Sequence, residues 1–225
     1  QRLAMPTTLV SLSGVAEMQG IGLQDDGQLV IGGATTHAEV ASGAVGTYSA
    51  LAALAGQIGD PAVRNRGTLG GSLANNDPAA CYPAAALGSG ATIVTNTREI
   101  PADDYFQGMF TTALEEGEIV VAVKFPVPEA ANYQKFVQPA SRFAMVGVFA
   151  ARFADGVRVA VTGASEEGVF RWTDAEAALA SSFTPDAISA LSVDPDGMIG
   201  DIHGTKAYRA HLVNVMTRRA VAAAV

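Results

Sequence analysis

The sequence predicts an α+β fold in two parts, not a wound parallel sheet. Three observations point there. Residues 118–125, EIVVAVKF, carry a strong strand pattern that Pro126 and Pro128 end, since proline cannot donate into a sheet ladder. Beyond them a long hairpin, FAMVGVFAARF and VRVAVTGA about Ala154-Asp155-Gly156, precedes three helical patterns. Strands in a run followed by helices in a run mark an α+β arrangement. Finally, 49% of the 225 residues are hydrophobic, enough for a substantial core. The proline break divides the chain into 1–127 and 128–225.

The elements follow in order. A short strand is expected near Leu9–Leu12, before a turn at Ser13-Gly14. Residues 21–33 form a hairpin: IGLQ, the turn Asp25-Asp26-Gly27, then QLVIGG. Thr36 with Glu39 makes a capping box that opens a helix over HAEVAS. That places His37 in the first turn as a half-exposed residue. An alanine-rich helix over about 47–57 is apolar on most sides, hence buried. Pro83 sets a helix start near residue 82. ATIVT and EIP are strands about a turn at Thr97-Arg98, and Asp103 or Asp104 caps a helical turn at YFQG. In the second part a strand at YQKFV precedes the hairpin. Thr173 with Glu176 caps the first helix after it, Thr184-Pro185 starts the second, and the third runs from about Lys206 to Val225.

Composition narrows the function. The net charge of −8 argues against nucleic acid or an anionic membrane surface as a main partner. The single cysteine, Cys81, excludes an internal disulfide and an iron–sulfur cluster held by this chain alone, and predicts a reducing, cytoplasmic setting. His37, His203 and His211 show no metal-ligand spacing. No apolar run reaches membrane-spanning length, and the start does not read as a signal peptide. A chain that opens on Gln1 is expected to be processed, trimmed or a fragment.

The chemistry concentrates in residues 58–83, IGDPAVRNRGTLGGSLANNDPAACYP. Gly67, Gly70 and Gly71 fall within five residues around Thr68 and Leu69. Such a stretch can turn successive N–H groups toward an anion such as a phosphate. Ser72 adds a hydroxyl. Asp77-Pro78 and Tyr82-Pro83 each offer a helix start that could face the same anion. The glycines alone favour a plain turn between packed elements. They match neither G-x-G-x-x-G nor a loop ending in G-K-[ST]. Gly70-Gly71-Ser72-Leu73-Ala74 is one glycine short of the G-x-S-x-G of serine hydrolases, without an acid and a histidine in supporting order. Arg64 and Arg66 could balance phosphate charge or be solvated, and Asn75, Asn76 and Asp77 fit turns, with Asn76 also able to face a ligand.

The longer string, I-G-D-x-x-V-R-N-R-G-T-L-G-G-S-L-A-N-x-D-P, resembles the second flavin-binding loop of the FAD-carrying medium subunit of molybdenum hydroxylases, the carbon monoxide dehydrogenase and xanthine dehydrogenase family. The similarity continues through IGGATTHAEVA at 31–41, FQGMFTTALEEGEIV at 106–120, PASRFAMVGVF at 139–149 and DIHGTKAYRAHLVNVMTRRAV at 201–221. It implies a PCMH-type FAD-binding domain over 1–127, lacking its N-terminal subdomain, and a C-terminal domain of the carbon monoxide dehydrogenase flavoprotein type over 128–225. It implies that Thr68, Leu69, Gly70, Gly71 and Ser72 meet FAD, with Leu69 covering the cofactor. Val120 would stand in an apolar wall close to the flavin; it reads equally as a core strand residue. The family's aspartate in D-P-x-x-D-x-P is Cys81 here, a weak, uncharged donor. Cys81 is therefore carried over only as a neighbour of the ligand, or as a small buried residue.

The resemblance implies a redox subunit without a metal of its own. Its FAD would take electrons from a partner's iron–sulfur clusters, fed by a molybdenum-cofactor large subunit, and pass them to an external acceptor. The iron–sulfur small subunit, large subunit and this chain would form a dimer of heterotrimers. The family's other pyrophosphate loop, of the alanine–glycine–glycine–x–serine type, is not in these 225 residues; Gln1–Pro6 resembles the sequence just after it. The chain alone is thus expected to hold FAD weakly, and a cofactor-free scaffold is the alternative.

Overall fold

The structure, a computed structural model, describes residues 6–225. Its first sheet opens with the expected hairpin of β1 (Ile21–Leu23) and β2 (Gln28–Gly32), with Ile21 opposite Ile31. Five helices follow: α1 (His37–Gly43), α2 (Ser49–Gly56), α3 (Pro61–Arg64), α4 (Leu69–Asn75) and α5 (Tyr82–Ser89). The chain then runs through β3 (Thr92–Thr95), β4 (Glu99–Pro101), the short helix α6 (Ala102–Tyr105), the small hairpin β5 (Phe106–Gly108) and β6 (Thr111–Thr112), and β7 (Val120–Pro126). The first sheet is ordered β1-β2-β7-β3-β4.

The second sheet is ordered β11-β10-β9-β8. It is built from β8 (Ala130–Val137), β9 (Ala144–Phe153), β10 (Gly156–Ser165) and β11 (Gly168–Arg171). Helix α7 (Thr173–Ser181), two 3-10 turns at Pro185–Ile188 and Pro195–Gly197, and helix α8 (Lys206–Ala222) complete the chain. The strand pairs are antiparallel, as an α+β fold requires.

Strand β9 explains how the halves meet. Successive side chains on a strand point to opposite faces. Val146, Val148 and Ala150 join a core with Leu179 of α7 and Leu212, Val213 and Met216 of α8. Phe149 and Ala151 face the other way, into the core of α2, α5 and the first sheet. Apolar on both faces, β9 reads as a near-continuous hydrophobic run. Helix α5 lies between the sheets, and all eight of its residues are buried.

Several local expectations fail for physical reasons. Residues 8–12 form no strand, and Leu9 and Val10 stand in solvent. Asp103 and Asp104 lie inside α6 and cap nothing, and YFQG leads into β5. Asp103 instead accepts two hydrogen bonds from Arg158, at 2.7 and 2.8 Å. Helix α7 begins at Thr173 without a side-chain cap. Glu176 is occupied elsewhere: it accepts from Val159 N–H at 2.9 Å and pairs with Arg171. Asp77-Pro78 makes a turn, not a helix start. Thr184-Pro185 opens only a 3-10 turn.

Candidate functional site

The glycine-rich stretch is a helix. Thr68 is the N-cap of α4, and its Oγ1 accepts from Gly71 N–H at 3.2 Å. Leu69 N–H donates to Thr35 O at 3.0 Å, Gly70 N–H to Gly33 O at 2.8 Å and Ser72 N–H to Thr68 O at 3.0 Å. The N–H groups of residues 69–72 are thus engaged inside the chain. This corrects the picture of a turn that aims them at an anion. The donors this wall offers are the hydroxyls of Thr68 and Ser72.

The two glycines serve different ends. A Cβ on Gly70 would stand 2.7 Å from Gly33 O and 2.9 Å from Gly33 Cα. Glycine there lets α4 seat directly on the turn after β2. A Cβ on Gly71 would meet only Thr68 Oγ1, at 3.0 Å. That face is open because it borders two cavities.

The first cavity, about 430 Å³, is lined by His37, Ser72, Cys81, Lys135, Arg142 and Phe143 among others. The second, about 640 Å³, lies against Gly33, Gly70, Glu118, Ile119 and Val120. Arg66, Thr68 and Gly71 line both. One wall therefore separates two lobes of a cleft. Thr68, Gly70, Gly71, Ser72, Cys81 and Val120 all fall on it or beside it. Leu69 does not: its side chain lies in the core and borders neither lobe, so it covers nothing.

His37 is buried, at 5% exposure, where the sequence predicted a half-exposed residue. Its N–H donates to Gly67 O at 3.0 Å, and a Cβ on Gly67 would come within 2.5 Å of Nε2. The ring lies 5.3 Å from that of Tyr82, and Nδ1 has no partner among the described residues. Burial, and then the charge of Arg64, lower its pKa from 6.5 to about 4. The imidazole is neutral at neutral pH. The signal was the capping box with a glycine thirty residues on, which only the fold brings together.

Lys135, Arg142 and Phe143 belong to the second sheet and the loop after β8, so local patterns around the glycines could not name them. Lys135 Nζ donates to Gln57 O at 2.8 Å and Arg142 O at 2.9 Å, and stands 3.6 Å from Cys81 Sγ. Arg64 is committed to Ile58 O and Gly59 O, both at 3.0 Å. Asp77 closes its own turn, accepting from Ala79 N–H at 2.9 Å. Asn76, a candidate to face a ligand, is buried instead, and its amide holds Gly108 O and Thr111 O at 2.8 and 2.9 Å. In the second lobe, Glu118 is held well below the usual carboxylate range by Arg98, the Thr97 hydroxyl and Glu115 N–H.

Ser72 and His37 share a cavity, yet among the described residues no hydrogen bond joins them. Ser72 sits in the first turn of a regular helix, not on a strained strand-to-helix elbow. The hydrolase reading has no base and no elbow.

Residues 1–128 match the family described as the FAD binding domain in molybdopterin dehydrogenase. The nicotine 6-hydroxylase medium subunit of Paenarthrobacter nicotinovorans is 34% identical over 98% of this chain and 83% of its own length. The carbon monoxide dehydrogenase medium chain of Hydrogenophaga pseudoflava is 28% identical over 99% of this chain and 83% of its own. Among solved structures, quinoline 2-oxidoreductase from Pseudomonas putida 86 matches with a TM-score of 0.84 and 28% identity, over 98% of this chain and 82% of that one. With a cofactor domain matched over residues 1–128 and medium subunits matched over nearly all of this chain, the chain belongs to the FAD-binding medium subunits of the molybdenum hydroxylase family.

Proposed function

We propose that this chain works as an electron-transfer subunit. It takes electrons from the iron–sulfur clusters of a small subunit, which a molybdenum-cofactor large subunit reduces, and delivers them to an external acceptor. The working assembly is a dimer of heterotrimers in the cytoplasm. The division at 127/128 then separates the cofactor-binding sheet from a second unit of antiparallel sheet and helices.

The observation that carries the reading is the two-lobed cleft with one wall of Arg66, Thr68 and Gly71. A dinucleotide has the matching form, two ring systems joined by a pyrophosphate, and both lobes are of ligand-binding size. The donor set fits as well. Arg66, Lys135 and Arg142 supply positive charge, Thr68 and Ser72 supply hydroxyls, and Ile119 and Val120 supply an apolar surface. In this reading the hydroxyls of Thr68 and Ser72 hold the FAD pyrophosphate, Gly70 and Gly71 contact it by leaving room for its close approach, Leu69 only spaces them, and Cys81 and Val120 border the ligand. Bound FAD would supply the exchange of electrons with the partner's clusters and the acceptor. The chain's own part is to bind, orient and shield it.

Gly71→Val tests the site. The added carbons would fill the shared wall without entering the Gly33 contact. In the purified complex, flavin content is expected to fall at least roughly tenfold, because the branched side chain takes up space the pyrophosphate needs and not because a donor is lost, with the far-UV circular dichroism unchanged. Unchanged flavin content would refute the assignment.

A further inference from the structure

We propose that Cys81 and Lys135 form an oxidant-driven covalent pair on the wall of the first cavity. A peroxide converts the Cys81 thiol to a sulfenic acid, and the Lys135 amine captures it as a sulfur–nitrogen bond.

The geometry is specific. Cys81 is 5% exposed, just ahead of α5, and its residue borders a cavity wide enough for a peroxide. Lys135 Nζ is 3.6 Å from Sγ. A lysine ammonium has three N–H donors. Two of them are fixed on Gln57 O and Arg142 O, at 2.8 and 2.9 Å. The third is directed at the sulfur. Loss of that proton to solvent leaves the nitrogen lone pair aimed at Sγ, while the two carbonyls keep the amine in place. The hydroxyl of Tyr133 is enclosed beside the thiol, where burial and then Cys81 push its pKa above the usual phenol range. The sulfur thus sits between a pinned amine and a buried phenol, not in plain apolar packing.

The steps balance. The sulfur attacks one peroxide oxygen; the S–O bond forms, the O–O bond breaks, and the thiol proton leaves with the second oxygen as water. The sulfur loses two electrons and the peroxide gains them. The deprotonated amine then attacks the sulfur; the S–N bond forms, the S–O bond breaks, and hydroxide leaves with an amine proton as a second water. A thiol such as dithiothreitol reverses the link by attacking the sulfur.

The consequence for the cofactor rests on the function proposed above. The link removes the lysine charge from the first lobe, so peroxide would weaken FAD binding reversibly, by roughly tenfold.

Tryptic peptide masses of the peroxide-treated protein test the pair. A linked Lys135 is no longer cut, so residues 67–98 and 125–142 should appear joined, about 2 Da lighter than their sum. Dithiothreitol should separate them. Lys135→Arg keeps the cation and removes the nucleophile; its Cys81 should instead be trapped by dimedone as a sulfenic acid. A wild-type Cys81 that stays fully alkylatable after peroxide, or that passes straight to sulfinic acid without a joined peptide, overturns the proposal. A 2 Da loss that persists in Lys135→Arg does the same. Joined peptides in a protein that keeps its FAD would establish the link and overturn its effect on the cofactor.

Discussion

His37 shows how much a single side chain can depend on its surroundings. Its pKa of about 4, against 6.5 when unperturbed, means the folded protein resists protonation that the unfolded chain accepts. A depressed pKa contributes stability that is fully present above 6.5 and is lost as pH falls toward 4. After discounting for solvent screening, the contribution is roughly 2 kcal/mol. His37→Gln should flatten that part of the profile: urea midpoints of the variant are expected to change less between pH 7 and pH 4 than those of the parent. Equal slopes would show that other groups carry the acid sensitivity. The sequence placed His37 correctly at a helix start and missed its burial. Gly67 and Tyr82 pack against the ring, Arg64 adds its charge, and no local pattern joins those residues to a capping box.

At the scale of elements, what was legible was what repeats locally. The β1–β2 hairpin, α1 and the β9–β10 hairpin each carry strong apolar runs or their own turn or cap residues. Helix α4 was not legible, because Gly70 and Gly71 read as breakers. Tertiary contact overrides that propensity: only glycine lets the helix seat on Gly33. The end of α4 shows a related device. Asn76 adopts φ 43° and ψ 48°, which few residues do cheaply, and its amide pins both carbonyls of the β5–β6 hairpin. Its own carbonyl accepts from Phe110 N–H at 3.0 Å. Asn76→Ala should cost about 2–4 kcal/mol, from two lost hydrogen bonds and a strained backbone. Hydrogen exchange at Phe110 should accelerate beyond what the global loss explains. Exchange that merely follows global unfolding would mean the hairpin holds itself.

Across the whole molecule, the site is assembled from both sheets. The first supplies Val120, with the starts of α1 and α4 that carry His37, Thr68 and Gly71 beside it; the second supplies Lys135 and the loop with Arg142. Thr162 on β10 ties them together, its hydroxyl lying 2.8 Å from both Pro78 O and Ala80 O. Gly163 N–H adds a bond to Pro78 O at 2.7 Å. Thr162→Val leaves Ala80 O without that donor. The expected loss is about 1–2 kcal/mol, a fall in Tm of roughly 2–8 °C for a chain of this size. Flavin should leave such a variant faster, because the 77–81 turn beside Cys81 is loosened. A lower Tm with unchanged flavin release would separate stability from the site. Helix α5 carries a longer consequence. A Cβ on Gly88 would stand 3.0 Å from Phe149 Cδ1 and 3.3 Å from Ala160 Cβ, so the helix fits the second sheet to within a methyl group. Chimeras that trade everything after residue 127 with a relative would therefore inherit a mismatched seam. Grafts that retain β9 and β10 with their own α5 are the ones that should fold.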